Sequence, residues 1–153
     1  MSRVDYLYSG FISKLSYEPT SCQDSLLRKV ADFVCSDDED ILVVNGYAGT
    51  GKTTAISAFI KVLKELRYKH ILLAPTGRAA KVLSNYSGIQ AKTIHKQIYR
   101  QKSLADKEAK FRLDFNKSRD TVYIVDEASL ITIGTGMEST IFGSGDLLED
   151  LIS

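Results

Sequence analysis

The chain has 153 residues, 44% of them hydrophobic and 25% charged, which is enough apolar content for one core and argues against a disordered chain. No apolar run approaches the roughly 18 residues of a membrane span, and the amino-terminal MSRVDYLYSGFISKLSYE lacks a basic segment followed by an apolar one, so neither a membrane nor an export class is indicated and a cytoplasmic location is expected. The net charge of +1 looks neutral but conceals a segregation: Glu18 to Asp40 carries seven acids against two bases, and Thr76 to Arg119 carries eleven bases against three acids, a prior for a polyanionic partner beside the plainer reading of a solvated face.

Residues 1–20 read as an N-terminal arm. The aromatics Tyr6, Tyr8, Phe11 and Tyr17 follow no clean period there, so a short helix and an arm lying on the domain fit equally. Ser21-Cys22-Gln23-Asp24 matches an S-x-x-D capping box with Ser21 as the cap, and Leu26, Leu27, Val30 and Val34 then line one helical face up to the acidic turn at Ser36 to Asp40. Cys22 and Cys35 are too few and too far apart for a zinc set and read as reduced thiols. Gln23 opens this helix, where its amide can donate and accept in one plane as an adenine edge requires; the plain alternative is a solvated glutamine.

Ile41-Leu42-Val43-Val44 is a continuous apolar run and predicts a strand buried on both faces. Gly46-Tyr47-Ala48-Gly49-Thr50-Gly51-Lys52-Thr53 follows, a complete G-x-x-x-x-G-K-[ST], and after it Ile56, Phe59, Ile60 and Leu63 recur at helical spacing to about Arg67. Strand, glycine-rich loop and helix are the context in which this motif binds phosphate. Gly46, Gly49 and Gly51 let the backbone turn its N–H groups onto phosphate oxygens, and the helix that starts through Thr53 and Thr54 adds its positive end. Lys52 is long enough to reach the β- and γ-phosphates, and the Thr53 hydroxyl can join Mg²⁺. A nucleoside triphosphate is therefore the expected ligand, with ATP and Mg²⁺ as the cofactors.

A second buried strand, Ile71 to Ala74, is stopped by Pro75, and Thr76 caps a short helix from Gly77 to Leu83. Ala91 to His95 opens another helix expected to run through Ile98 and beyond Tyr99. A lone histidine such as His95 is more often structural than catalytic. The stretch 101–120 is polar and irregular and reads as a surface insertion, with Phe111 to Phe115 alternating like a short exposed strand. A third buried strand, Val122 to Val125, runs into Asp126 and Glu127. Acids at the carboxyl end of a strand are where a P-loop fold completes its Mg²⁺ site, so Asp126 is expected to hold the ion and Glu127 to polarise the attacking water. The tail after Phe142 reads as a loop and the start of a helix.

NGYAGTGKTT, LLAPTGRAAKVLS, AKTIHKQIY and IVDEASLI, in this order and spacing, resemble motifs I, Ia, the stretch that follows it, and II of superfamily 1 DNA helicases, in the branch that includes RecD, the exonuclease V alpha subunit. The resemblance implies an α/β P-loop NTPase fold, RecA-like, with a parallel central sheet flanked by helices, and a single partial ATP-binding domain over 1–153. It places Gln23 in the family's adenine-reading motif, and Pro75, Thr76, Arg78, Thr93 and His95 in stretches that face single-stranded DNA. It implies 5′ to 3′ translocation coupled to ATP hydrolysis.

Where the family continues with a Gly-Asp-x-x-Gln-Leu-Pro motif, this chain has Gly145-Asp146-Leu147-Leu148-Glu149, which does not match, and the chain is expected to be a truncated piece without the second motor domain. The resemblance therefore covers nearly all of this chain but the first part of the family's length. Without an arginine finger, worth roughly 10³ to 10⁵ in rate, the piece alone is expected to bind ATP, to hydrolyse it slowly and not to unwind. Two other readings remain open: a P-loop ATPase or kinase with no DNA role, and a nucleotide-binding or DNA-binding module without catalysis.

Overall fold

Ser2 is the cap of the first helix. Its hydroxyl accepts from the Asp5 N–H at 3.0 Å and its N–H donates to the Asp5 carboxylate at 3.1 Å, so the first orphan donors of helix α1 (Arg3–Ser13) are satisfied. The computed structural model describes residues 2–38, 40–47, 49–101, 111–114, 116, 118–131, 144 and 146–153, with the backbone alone at 100, 101, 111 and 112. The chain divides into two compact units, Met1–Lys69 and His70–Ser153.

The first unit is helical. Helix α1 packs against α2 (Ser21–Cys35) and α3 (Lys52–Glu65), and the arm of the sequence reading is thus a helix with a buried face. Leu7 and Phe11 of α1 meet Leu27, Val30 and Ala31 of α2 and the apolar stripe Ala55, Phe59, Val62, Leu63 of α3 in one core. Phe11 stacks edge to face on Phe59 with ring centroids 5.5 Å apart. A Cβ on Gly10 would stand 3.3 Å from Val62 Cγ1, so a larger residue there would crowd the seam between α1 and α3.

Three expectations for this unit are corrected. The cap of α2 is Thr20, one residue before Ser21: the Thr20 hydroxyl accepts from the Gln23 N–H at 3.3 Å and Gln23 Oε1 accepts from the Thr20 N–H at 3.0 Å. Asp24 is taken up elsewhere, by the Tyr8 hydroxyl and by Arg28 Nε at 3.2 Å, with the Arg28 guanidinium 4.0 Å above the Tyr8 ring. Ile41 to Val44 forms no strand. The run has no ladder partner among the described residues, and Ile41 and Val43 are 60% and 82% exposed. Apolar character predisposes a segment to burial in a sheet, but a strand exists only where a neighbour accepts its hydrogen bonds.

The second unit is built on a three-stranded parallel sheet with strand order β2-β1-β5, from β1 (Lys69–Ala74), β2 (Lys92–Thr93) and β5 (Thr121–Val125). Helix α4 (Gly77–Ser87) follows β1, capped by Thr76 and ended by Gly88 in the left-handed region at φ 70°. The core here is Leu72, Leu73, Ala74, Ala80, Leu83 and Ile94. β5 is half-buried along its whole length, not buried as its sequence predicts; with β1 in the middle of the three, β5 has one neighbour among the described strands.

Helix α5 (Ile94–Ile98) ends before Tyr99 rather than beyond it. Tyr99 opens β3 (Tyr99–Gln101), which pairs antiparallel with β4 (Phe111–Leu113) in the register Tyr99↔Leu113. The cross-strand partner, absent from any local pattern, draws Tyr99 out of the helix. The exposed strand expected around Phe111 is formed over Phe111–Leu113, while Phe115 lies outside the described residues. The expected tail helix is α6 (Leu147–Ile152), capped by Asp146, which accepts from the N–H groups of Leu148 and Glu149 at 3.0 and 3.1 Å. Among the described residues no helix is long and apolar enough to cross a membrane.

Phe11 is fully buried against Phe59. Replacing Phe11 by Ala is expected to lower the unfolding free energy by about 3 to 5 kcal/mol, measured by urea denaturation. A loss within about 0.5 kcal/mol, the size of an ordinary surface effect, would mean that α1 is not part of the core.

Candidate functional site

The phosphate-loop residues lie in the first unit. Gly49 and Gly51 have φ +77° and +78°, the left-handed region in which a side chain is strained. The turn is held from inside: the Thr50 hydroxyl donates to the Tyr47 carbonyl at 2.7 Å, and Lys52 Nζ donates to the same carbonyl at 2.8 Å and to that of Gly46. Helix α3 starts at Lys52 directly after Gly51, with no side-chain cap among the described residues, so no described side chain takes up the N–H groups that an anion site uses. Thr53 and Thr54 are exposed on its first turn. Ala48 lies outside the described residues.

Gln23 braces this turn. Its side chain is 4% exposed, and besides capping α2 its Nε2 donates to the Gly51 carbonyl at 3.3 Å and to the Tyr17 hydroxyl at 3.4 Å. A Cβ at Gly51 would stand 2.4 Å from Gln23 Nε2, a clash that no real Cβ tolerates. The glutamine that the sequence reading sets against a base edge is thus placed beside the phosphate loop with its amide bonded to protein. These residues fit a nucleotide's phosphates: two left-handed glycines, an uncapped helix start, and a lysine amine held over the loop by carbonyls from which a phosphate oxygen could draw it.

The second unit gathers its candidates at the carboxyl edge of the sheet. The register pairs Ala74 with Thr93, and the Asp126 N–H donates to the Leu73 carbonyl at 3.0 Å. Pro75 and Thr76, then Thr93 to His95, then Asp126 and Glu127 therefore leave from the same end of three adjacent strands. Thr76 and Thr93 are both N-caps, accepting from Ala79 N–H and Lys96 N–H at 3.2 Å each, so two helix N-termini open side by side at this edge. Arg78 is exposed on the first turn of α4, while Pro75 and His95 are half-buried. The His95 ring lies tilted against Tyr99 at 5.6 Å, and burial lowers its pKa from the ordinary histidine value, leaving it neutral at pH 7.

Asp126 is held at both oxygens. Oδ1 accepts from the Glu127 N–H at 3.0 Å and Oδ2 accepts from the Tyr86 hydroxyl at 2.8 Å. Glu127 is exposed and sits at φ 54°, a left-handed conformation that costs a non-glycine residue on the order of 1 kcal/mol. Burial, then the hydrogen bond to Asp126, raises the Tyr86 pKa far above its ordinary value, so the phenol is a donor throughout the physiological range. The sequence reading missed Tyr86, because its spacing after Ala80 and Leu83 marks a helical core position and nothing local points to a partner forty residues on. It also missed the buried Asp150, which accepts from the Tyr99 hydroxyl at 2.6 Å and from the Ser144 N–H at 3.0 Å.

The two loop glycines separate strain from contact. Gly49 has nothing within 4 Å of a built Cβ, whereas Gly51 meets Gln23. Gly49→Ala is expected to cost about 1 kcal/mol of stability from φ alone; Gly51→Ala is expected to cost more and to weaken nucleotide binding at least tenfold, read by calorimetric titration. Equal effects of the two changes would remove Gln23 from the support of the loop.

The model of the AAA domain family matches residues 24–138, well over half of the chain. An uncharacterized protein of Methanocaldococcus jannaschii is 34% identical over 104 residues, 61% of this chain and 9% of that protein. The ATP-dependent DNA helicase dda of Enterobacteria phage T4 is 47% identical over 55 residues, 35% of this chain and 12% of that protein. The chain thus spans about a tenth of the length of these two relatives. With the P-loop, the left-handed glycines and the acids at the end of β5, the family match establishes that this chain belongs to the AAA domain family of P-loop NTPases.

Proposed function

We propose that this chain is the ATP-binding and DNA-facing half of an ATP-dependent DNA helicase that couples ATP hydrolysis to translocation on single-stranded DNA. The observation that carries the reading is the alignment of Thr76, Thr93 and Asp126 at one sheet edge, with exposed Arg78 beside them. Two helix N-termini and a guanidinium suit a phosphate backbone, and they stand next to the acid assigned to the metal. Similarity to a phage DNA helicase and the basic stretch Thr76 to Arg119 support the same substrate.

In this reading Gly46 to Thr54 hold the triphosphate of ATP, Thr53 and Asp126 hold Mg²⁺, and Lys52 neutralises charge on the γ-phosphate. Bound Mg²⁺ supplies Lewis-acid stabilisation of the phosphoryl oxygens. Glu127 orients and deprotonates the attacking water; its left-handed backbone turns the side chain away from the line of β5, and its exposure leaves it accessible. Gln23 reads the adenine through a rearranged amide or supports the loop that holds the phosphates, the second role being the one its bonds to Thr20 and Gly51 favour. Pro75, Thr76, Arg78, Thr93 and His95 line the DNA side.

The finer assignments belong to the same proposal: the RecD-like branch, 5′ to 3′ movement, a first RecA-like motor domain over 1–153, and a place in DNA repair and recombination beside partner subunits. The arginine finger and the second half of the DNA track come from a further motor domain of the intact protein.

Fluorescence anisotropy of a labelled oligo(dT) over a salt series tests the DNA assignment. Affinity is expected to fall with a log–log slope of about −0.7 per phosphate neutralised and to change on adding Mg-ATP; ATP turnover with no oligo(dT) binding at low salt would leave a P-loop ATPase without a DNA role. In the intact protein, Lys52→Ala and Glu127→Gln are each expected to abolish turnover while oligo(dT) binding persists. Hydrolysis at the parental rate in either variant would refute that residue's role.

A further inference from the structure

Asp126 is the only residue of the proposed metal site whose side chain the described structure shows held by a remote residue. A carboxylate at a strand end can rotate about χ2, and its bond from the next residue's N–H spans one peptide and restrains that rotation weakly. The second restraint comes from Tyr86, forty positions earlier, whose hydroxyl reaches Oδ2 at 2.8 Å from the last full turn of α4. Tyr86 is half-buried, so the bond is shielded from competing water on part of its surface. The turn that carries it is itself pinned: the Ser84 hydroxyl donates to the Ala80 carbonyl at 2.8 Å and accepts from the Ala91 N–H at 2.8 Å, and Ser87 bonds Ile89. The hydroxyl that restrains Asp126 therefore sits on backbone tied to the segment that leads into β2.

We propose that Tyr86 is a positioning residue for the metal site, its hydroxyl fixing the orientation of the Asp126 carboxylate and so raising affinity for Mg²⁺. The inference rests on the reading of Asp126 as a metal ligand. Each carboxylate oxygen has two lone-pair directions, so Tyr86 on Oδ2 and Glu127 N–H on Oδ1 leave one direction on each oxygen for the ion or a water bound to it. Outer hydrogen bonds to metal ligands are typically worth 10- to 100-fold in metal affinity. The aromatic ring fills its place in α4 without the hydroxyl, so Phe at this position removes the bond and keeps the packing.

The test is the Mg²⁺ dependence of binding of a fluorescent ATP analogue by this chain, for the parent, Tyr86→Phe and Asp126→Asn, each also measured in EDTA. Tyr86→Phe is expected to raise the Mg²⁺ concentration at half-effect about tenfold while leaving affinity in EDTA unchanged, which a general loss of structure would not do. A Tyr86→Phe midpoint equal to the parental one, with the Mg²⁺ dependence lost in Asp126→Asn, overturns the role of Tyr86 and leaves Asp126 as a ligand. A Mg²⁺ dependence that survives Asp126→Asn removes Asp126 from the metal site, and the proposal falls with it.

Discussion

The hydrogen bond from the Asp126 N–H to the Leu73 carbonyl, together with the Ala74↔Thr93 register, is the constraint on which the second unit depends. Parallel strands that stop in step must deliver their following segments to the same edge. Here that brings a proline-stopped strand, two threonine caps and an acidic pair side by side from segments that span more than thirty residues. A slip of one residue in β2 would send Thr93 to the opposite face and replace a cap with the Lys92 side chain. The short strands matter less for the energy they add than for this alignment.

A comparable economy governs the first unit. Gln23 belongs by sequence to the start of α2, yet its amide answers three demands at once, for the Thr20 N–H, the Tyr17 hydroxyl and the Gly51 carbonyl. Helix capping and the geometry of the phosphate loop are thereby joined through one buried side chain. The core beneath, centred on Phe11 and Phe59, keeps α1, α2 and α3 in the relation that these bonds require. Polar positioning of this kind works when the surrounding apolar packing leaves the amide no other place to go.

Tyr86 and Glu127 show how the acidic end of β5 departs from a plain strand terminus. One contributes a hydroxyl from a distant helix, the other a left-handed backbone. A local pattern of four apolar residues running into Asp-Glu suggests two acids at a strand end, but it carries no information on what restrains either of them. The structural finding adds rotational definition to Asp126 and a redirected, exposed side chain at Glu127, two properties that follow from packing and turn geometry.

The amino-acid sequence by itself determined the phosphate loop, its helix, the strand that Pro75 stops, the Thr76 cap and the acids after Val125, because each rests on contacts within a few residues: glycine φ freedom, the proline ring, a cap reaching three residues on, an apolar run. The tertiary structure decided what depends on distant partners. Tyr99 left its helix because Leu113 lies across from it; Ile41 to Val44 stayed unpaired because no described strand offers it a ladder. In each case the deciding bond joins residues whose separation in the chain hides them from any local pattern, and a strand, unlike a helix, cannot satisfy its own backbone.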